Sequence, residues 1–100
     1  MEYSIVAEGS AKRVVLKGRF TFSDNEHFRQ IINSLNETGG SRFVLDMSGL
    51  DFMDSAGLGM LLLAHEMADG KRIPLVLKGP KGEVKRMLDV SKFNEIIPIE

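Results

Sequence analysis

The residues best suited to chemistry lie between positions 46 and 59, where two serines stand among three carboxylates and three glycines. Ser55 directly follows Asp54, and the apolar residues after it predict a helix over 56–69. Ser55 is predicted to be the helix N-cap, which accepts a hydrogen bond from a free backbone N–H. Helix N-termini also favour phosphate, because their N–H groups and dipole present positive charge. Ser55 is therefore predicted to be an exposed phosphorylation site, a role that is compatible with capping.

The carboxylates near Ser55 suggest two other kinds of chemistry. Asp46, Asp51 and Asp54 are candidates for a metal site, and Asp46 is a candidate aspartyl-phosphate acceptor of the receiver type. Such residues at strand ends and in turns are more often solvated, so no metal ligands are predicted. A receiver is disfavoured because the first strand is not followed by an acidic pair and no late lysine stands in the expected context.

Two glycine-rich stretches resemble nucleotide-binding motifs only in part. Gly57-x-Gly59 continues with Leu62 at the third glycine position of a dinucleotide fingerprint, so that match fails. The stretch 79–82 is too short for a P-loop and lacks its Lys-Ser/Thr ending, so no cofactor is predicted. The nearby basic residues are interpreted as a solvated face, with nucleotide contact as a weaker alternative: Lys78, Lys81, Lys85 and Arg86.

Length, charge and composition exclude several classes of protein. The chain has 100 residues and is predicted to form one domain, 1–100. Its net charge of −1, from 13 basic and 14 acidic residues, gives no overall field for nucleic acid or a membrane surface. The absence of cysteine excludes disulfides, thiolate metal sites and cysteine catalysis. No leader or bilayer-spanning segment is recognised, so a cytoplasmic location is expected.

The first half of the chain predicts a hairpin followed by a helix. Alternation over 3–8 and a β-branched run over 13–18 predict two strands joined by a short turn, and 19–22 is predicted to continue as an extended segment. Ser23 and Glu26 fit a capping box. The helix is predicted over 24–37, with one apolar stripe and a glycine stop: Phe28, Ile31, Ile32, Leu35 and Gly39-Gly40.

The second half predicts alternating strands and helices. A central strand is predicted over 42–46, with a short turn between it and the helix at 56–69. That helix is apolar on two sides, and its methionines Met60 and Met67 are either core residues or an adaptable contact surface. A strand over 73–77 and a helix over 83–88 are predicted next, and a final apolar segment is predicted to cap the core as a last short strand: Phe93, Ile96, Ile97 and Ile99.

The order of these elements predicts an α/β fold. Alternation after residue 40 implies parallel strands joined by right-handed helical crossovers, and the opening hairpin makes the sheet mixed. The predicted architecture is a mixed β-sheet with an N-terminal hairpin and helices packed mainly on one face.

The stretch Leu50-Asp-Phe-Met-Asp-Ser-Ala-Gly-Leu-Gly59 resembles the signature of the STAS family, the bacterial anti-sigma-factor antagonists. The early Gly18-Arg19-Phe20, the strand ending Val44-Leu45-Asp46 and the late 84–89 segment also resemble that family, over essentially the whole chain. One departure is clear: Arg19 and Thr21 stand where many antagonists carry acidic residues, and Asp24 is a candidate substitute in space.

The resemblance implies a STAS-like fold. It also implies a protein that is not an enzyme and that acts by partner switching in transcription regulation. It implies that the unmodified protein binds an anti-sigma factor that is also a serine kinase, that this partner phosphorylates Ser55, and that a serine phosphatase reverses the change. The residues expected to bind the partner are Thr21, Asp24, Met53, Asp54, Ser55, Ala56, Gly57 and Met60. The alternatives are a STAS-type scaffold or regulatory subunit of another signalling or transport assembly, and the receiver-like domain that uses Asp46.

Overall fold

The sheet has four strands in the order β1-β2-β3-β4 in the computed structural model, which describes the backbone of residues 1–38 and 42–100 and the side chains outside 34–41. The first two strands pair antiparallel, and the other two are added in parallel, so the predicted mixed sheet with its N-terminal hairpin is confirmed. The strands are β1 (Glu2–Glu8), β2 (Ala11–Phe20), β3 (Arg42–Met53) and β4 (Leu75–Lys78).

In the part of the chain that the structure describes, three α-helices and two short 3₁₀ helices connect and follow the strands. The α-helices are α1 (Asn25–Thr38), α2 (Ser55–Gly70) and α3 (Gly82–Val90), and the 3₁₀ helices are Phe22–Asp24 and Phe93–Glu95. In the described part of the chain, no helix has the length and apolar character needed to cross a membrane. The final segment contributes only one parallel bridge, Leu77 to Ile99, where a last short strand was predicted.

The helices pack on one face of the sheet, as predicted. Alternate residues of the strands point to that face because successive side chains of a strand point to opposite sides. They form a single hydrophobic core with residues from all three helices: Val14, Leu16, Leu45, Met47, Leu75 and Leu77 with Ile31, Leu61 and Leu88. The edge strand β1 is largely not covered by the helices, and its apolar residues Tyr3 and Ile5 are 45% and 42% exposed.

The strand β3 is longer than the sequence indicates. The turn predicted after Asp46 is wrong, because β3 continues to Met53, which pairs with Phe20 of β2. Two register shifts in that pairing interrupt the two-residue alternation, so the buried positions Met47, Leu50 and Met53 recur every three residues. Because a strand is recognised in sequence by apolar residues at every second position, this part of β3 was not predicted.

The start of α1 also differs from the prediction. The capping box predicted at Ser23 and Glu26 is wrong, because the chain turns two residues earlier and Asp24 bonds back to Thr21. The predicted extended segment is half right: Arg19 and Phe20 end β2, and the residues after Thr21 begin a 3₁₀ helix. The side chain of Leu35 and the Gly39-Gly40 stop lie outside the described residues.

An aromatic pair fixes α1 to the end of β2. The rings of Phe20 and Phe28 are fully buried, with centroids 4.9 Å apart and planes tilted by 41°. We expect Phe28→Leu to lower the free energy of unfolding by about 1–2 kcal/mol, because the pair and its close packing are lost. Urea denaturation measures this change. The matched control Phe22→Leu, at a ring that is 71% exposed, is expected to stay within about 0.5 kcal/mol. Equal losses for both variants would contradict this assignment of the core.

Candidate functional site

Asp54 joins three segments of the chain at one end of the sheet. Its backbone N–H donates to the carbonyl oxygen of Phe20, 3.2 Å away. Its carboxylate accepts from the N–H of Phe22 at 3.2 Å and from the N–H of Gly57 at 3.1 Å. The second of these bonds makes Asp54 the N-cap of α2, so the predicted cap at Ser55 is wrong by one residue.

Ser55 is the first residue of α2 and is exposed. The cap is supplied by Asp54, so the start of the helix does not depend on the serine hydroxyl. The hydroxyl stands beside the free N–H groups of the first helical turn, where the helix dipole favours an anion. The geometry therefore leaves Ser55 accessible to a modifying enzyme.

Gly57 holds the start of α2 tightly against β3. It is buried, and a Cβ atom at this position would collide with Cγ of Met53 and lie 3.4 Å from the carbonyl oxygen of Phe20. Only a glycine permits this close approach of helix to strand. Met53 lies beneath the same contact and is almost fully buried. Both residues have a clear structural role, and their predicted contact with a partner stays a prediction.

Asp24 is directed inward, although it was predicted to face a partner. It is 6% exposed, accepts from the N–H of Thr21 at 2.9 Å, and pairs with the α-ammonium group of Met1 at 3.0 Å. Burial raises the pKa of Asp24, but these two contacts outweigh burial and hold the pKa below its usual value. Asp24 thus fixes the turn before α1, and Thr21 is half-buried above it.

A groove of about 290 Å³ runs beside Ser55, between α1 and α2. Its lining is mostly apolar, with one cation and one amide: Phe22, Asn25, Arg29, Ala56, Gly59, Met60 and Leu63. The predicted partner-binding residues Ala56 and Met60 meet here, so Met60 is both a core residue and part of the groove wall.

Sequence reasoning did not single out two aromatic residues near this end of the sheet. Phe22 was predicted to lie in an extended segment, and only the structure shows that it is a large exposed apolar residue that lines the groove. The guanidinium carbon of Arg19 lies 4.2 Å from the centre of the Phe52 ring, a cation–π contact on the surface. The pair of Arg19 and Phe52 was not predicted because the predicted turn placed Phe52 outside the sheet.

Asp46 is remote from the carboxyl end of its strand. It lies within β3, on the face opposite the core, and accepts from the hydroxyl and N–H groups of Ser48 at 2.6 and 3.1 Å. Nη1 of Arg13 lies 3.8 Å away. This placement does not suit a receiver-type acceptor, which needs a strand end. Within the described residues, no cluster of three His, Asp or Glu is arranged to hold a metal ion.

The fold and this strand–helix junction define a small α/β domain with an exposed serine at a helix start. Comparison with known proteins gives its family. Residues 4–98 match the family described as Mlab, STAS domain. A STAS-domain containing protein of Pseudomonas aeruginosa is 31% identical over 93 residues, which are 93% of this chain and 91% of that protein. The chain belongs to the STAS domain family.

Two further proteins are similar to this chain. BtrV of Bordetella bronchiseptica, assigned as an anti-sigma factor antagonist, is 30% identical over 84% of this chain and 72% of its own length. SpoIIAA of Bacillus in its phosphorylated form has a TM-score of 0.75 at 16% identity, covering 99% of this chain and 91% of SpoIIAA. The unphosphorylated form of the anti-sigma factor antagonist SpoIIAA has a TM-score of 0.77 at 18% identity, covering 99% and 87%. At this level of identity SpoIIAA shows a shared fold.

The triple role of Asp54 gives a test of the junction. We expect Asp54→Ala to lower the free energy of unfolding by about 1–2 kcal/mol, because α2 loses its cap and Phe22 loses an acceptor. Ser55→Ala is the matched control next to it and is expected to change stability by less than about 0.5 kcal/mol. Urea denaturation followed by circular dichroism measures both. A larger loss for Ser55→Ala than for Asp54→Ala would restore the serine as the cap.

Asp46 gives a pH-dependent prediction. Burial raises the pKa of Asp46, but the bonds from Ser48 and the charges of Arg13 and Lys78 outweigh it, so the pKa is lowered. The ionised carboxylate thus stabilises the fold above the pKa of an unfolded aspartate, about 3.9, and this stabilisation is lost as pH falls through the folded value. We expect Asp46→Asn to cost about 1 kcal/mol near neutral pH and nothing in acid.

The measurement for Asp46 is urea denaturation of wild type and variant at a series of pH values. The exposed Asp51→Asn controls for the loss of one carboxylate and is expected to stay within about 0.5 kcal/mol near neutral pH. A cost for Asp46→Asn that persists unchanged into acid would mean that shape, and not charge, is what the fold needs at this position.

Proposed function

We propose that the chain is a non-enzymatic anti-sigma-factor antagonist that binds its partner when Ser55 is unmodified and releases it when Ser55 is phosphorylated. The observation that carries the proposal is that Asp54, and not Ser55, caps α2 at the junction. The neighbouring exposed serine can therefore be modified without loss of the cap. The partners would be an anti-sigma factor that is a serine kinase and, for the reverse step, a serine phosphatase, in the cytoplasm.

The effect of the phosphate follows from its charge and position. Phosphorylation adds about −1.5 to −2 charges and three acceptor oxygens. At the first turn of a helix an anion is favourable by about 0.3–1 kcal/mol, and the Asp54 carboxylate next to it opposes part of that gain. The fold therefore tolerates the phosphate, while the surface presented to a partner becomes more negative. A partner that packs closely here would have to bury an unpaired phosphate, which is very costly.

Two of the similar proteins support this proposal, one by its assigned role and the other by its known phosphorylation. BtrV is assigned as an anti-sigma factor antagonist and matches most of this chain at 30% identity. SpoIIAA, which shares the fold, has been solved in phosphorylated and unphosphorylated forms. Arg19, held over Phe52 at 4.2 Å, places a cation where the family pattern expects an acid, so we expect a partner surface adapted to that charge.

The switch is tested with two variants at one position. We expect Ser55→Ala to bind the cognate anti-sigma factor as wild type does, and Ser55→Asp to bind at least about tenfold more weakly, because charge is added at the docking surface. The partner is identified by affinity capture with Ser55→Ala, purified, and titrated by calorimetry. Ser91→Asp adds the same charge at a remote exposed serine and is expected to leave the affinity unchanged.

The chemistry of the phosphate provides a second readout. Incubation of the purified partner with ATP and wild-type protein is expected to give an acid-stable phosphate that Ser55→Ala cannot accept. A phosphate labile in acid and base, lost in Asp46→Asn, would instead indicate the receiver alternative. Equal affinity of the Ser55→Ala and Ser55→Asp proteins for the partner would remove the switch.

A further inference from the structure

Two glycines in the first turns of α2 have different surroundings. The internal packing of the chain requires Gly57, as its contact with Met53 shows. At Gly59, by contrast, a Cβ atom would have nothing within 4 Å. A glycine inside a helix is less stable than an alanine, because it restricts the unfolded chain less and buries less surface. Among the residues that the structure describes, no contact explains Gly59, and a contact with another molecule would.

Gly59 lines the groove between α1 and α2. It lies one helical turn after Ser55, on the same side of the helix, and lines the groove together with Ala56 and Leu63. The 71% exposed ring of Phe22 stands at the opposite side. The missing side chain therefore leaves room in an apolar groove whose lining begins at Ala56, the residue after the modifiable serine.

The size and charge of the groove indicate its occupant. Its volume of about 290 Å³ exceeds the ~150 Å³ that is enough to admit a benzene ring, so one aliphatic side chain fits. Arg29 stands at its rim, is exposed, and belongs to none of the ion pairs found among the residues that the structure describes. An occupant with a carboxylate next to its apolar group would pack against the apolar lining and form an ion pair with the guanidinium of Arg29.

We infer that this groove is where the partner protein inserts a leucine-like side chain followed by a carboxylate, with Gly59 providing the depth and Arg29 the charge. The inference rests on the proposed function, because it names what docks beside Ser55. It also links docking to modification. A phosphate on Ser55 adds negative charge next to Ala56 of the groove lining, close to where the carboxylate of the partner would bind, and like charges repel.

The first test needs no partner. Thermal unfolding of Gly59→Ala is expected to give a melting temperature about 2–8 °C higher than wild type, because alanine is the better helix former and meets no atom of the chain. Gly70→Ala is the matched control in the same helix, also with nothing within 4 Å, and is expected to shift in the same direction. A lower melting temperature for Gly59→Ala would reveal an internal reason for the glycine and overturn the inference.

The second test uses a small probe, N-acetyl-leucine, followed by ¹H–¹⁵N correlation spectra. Binding is expected in the millimolar range, with shift changes at the amides of Phe22, Gly59 and Leu63. N-acetyl-leucinamide, which lacks the carboxylate, is expected to bind more weakly, and Arg29→Gln is expected to remove the difference. Shift changes that are absent, or equal for the two probes, would contradict the assignment of the groove.

The third test uses the partner captured with Ser55→Ala. Gly59→Leu, which fills the groove, and Arg29→Gln are each expected to weaken binding at least about tenfold, while Gly70→Ala leaves it unchanged. The two proposals fail in different ways. If Ser55→Ala and Ser55→Asp bind equally but Gly59→Leu does not bind, the switch is wrong and the groove stands. If the Ser55 variants differ and Gly59→Leu binds like wild type, the groove is wrong and the switch stands.

Discussion

The arrangement of the strand–helix junction depends on the hydrogen bonds that Asp54 makes. Its carboxylate accepts one hydrogen bond from the turn before α1 and one from the first turn of α2, while its backbone N–H bonds to the end of β2. Hydrogen bonds to a charged group contribute more than neutral ones, and with its backbone bond this one residue joins three segments. The same contact joins the segments that lead into α1 and α2, the helices that border the groove.

The junction separates structural and regulatory roles on adjacent residues. Asp54 and Gly57 maintain the position of α2, one by capping and one by close approach to Met53. Ser55 and Gly59 are exposed and do not serve those internal contacts. A surface charge can then be added or removed at Ser55 without reorganising the core, so the proposed switch requires no second conformation of the domain.

The sequence predicts the fold well wherever one regular period extends over a whole element. The hairpin, the mixed sheet, the parallel order of β3 and β4, and the three helices follow from alternation and from apolar stripes. The length of β3 does not, because two irregularities in its pairing with β2 shift the buried residues to a spacing of three. The caps were misplaced because Ser, Thr and Asp are all good caps, and local sequence does not decide between neighbours such as Asp54 and Ser55.

The candidate site was predicted in part, for a related reason. The position of Ser55 follows from a local pattern. The groove is formed by residues about 30 positions apart, such as Phe22 and Ala56, and only the tertiary fold brings them together. Likewise, Gly57 and Gly59 cannot be distinguished in the sequence. Only the structure shows that Met53 lies against Gly57 and that Gly59 has no such neighbour.

The open edge of β1 has a consequence for the behaviour of the protein at high concentration. An uncovered strand with exposed Tyr3 and Ile5 is a template for pairing between copies. If two such strands paired antiparallel about Ile5, Glu2 of each would face Glu8 of the other, and like charges opposite each other are destabilising. The glutamates at its two ends thus discourage self-association, and because that protection is electrostatic, added salt weakens it.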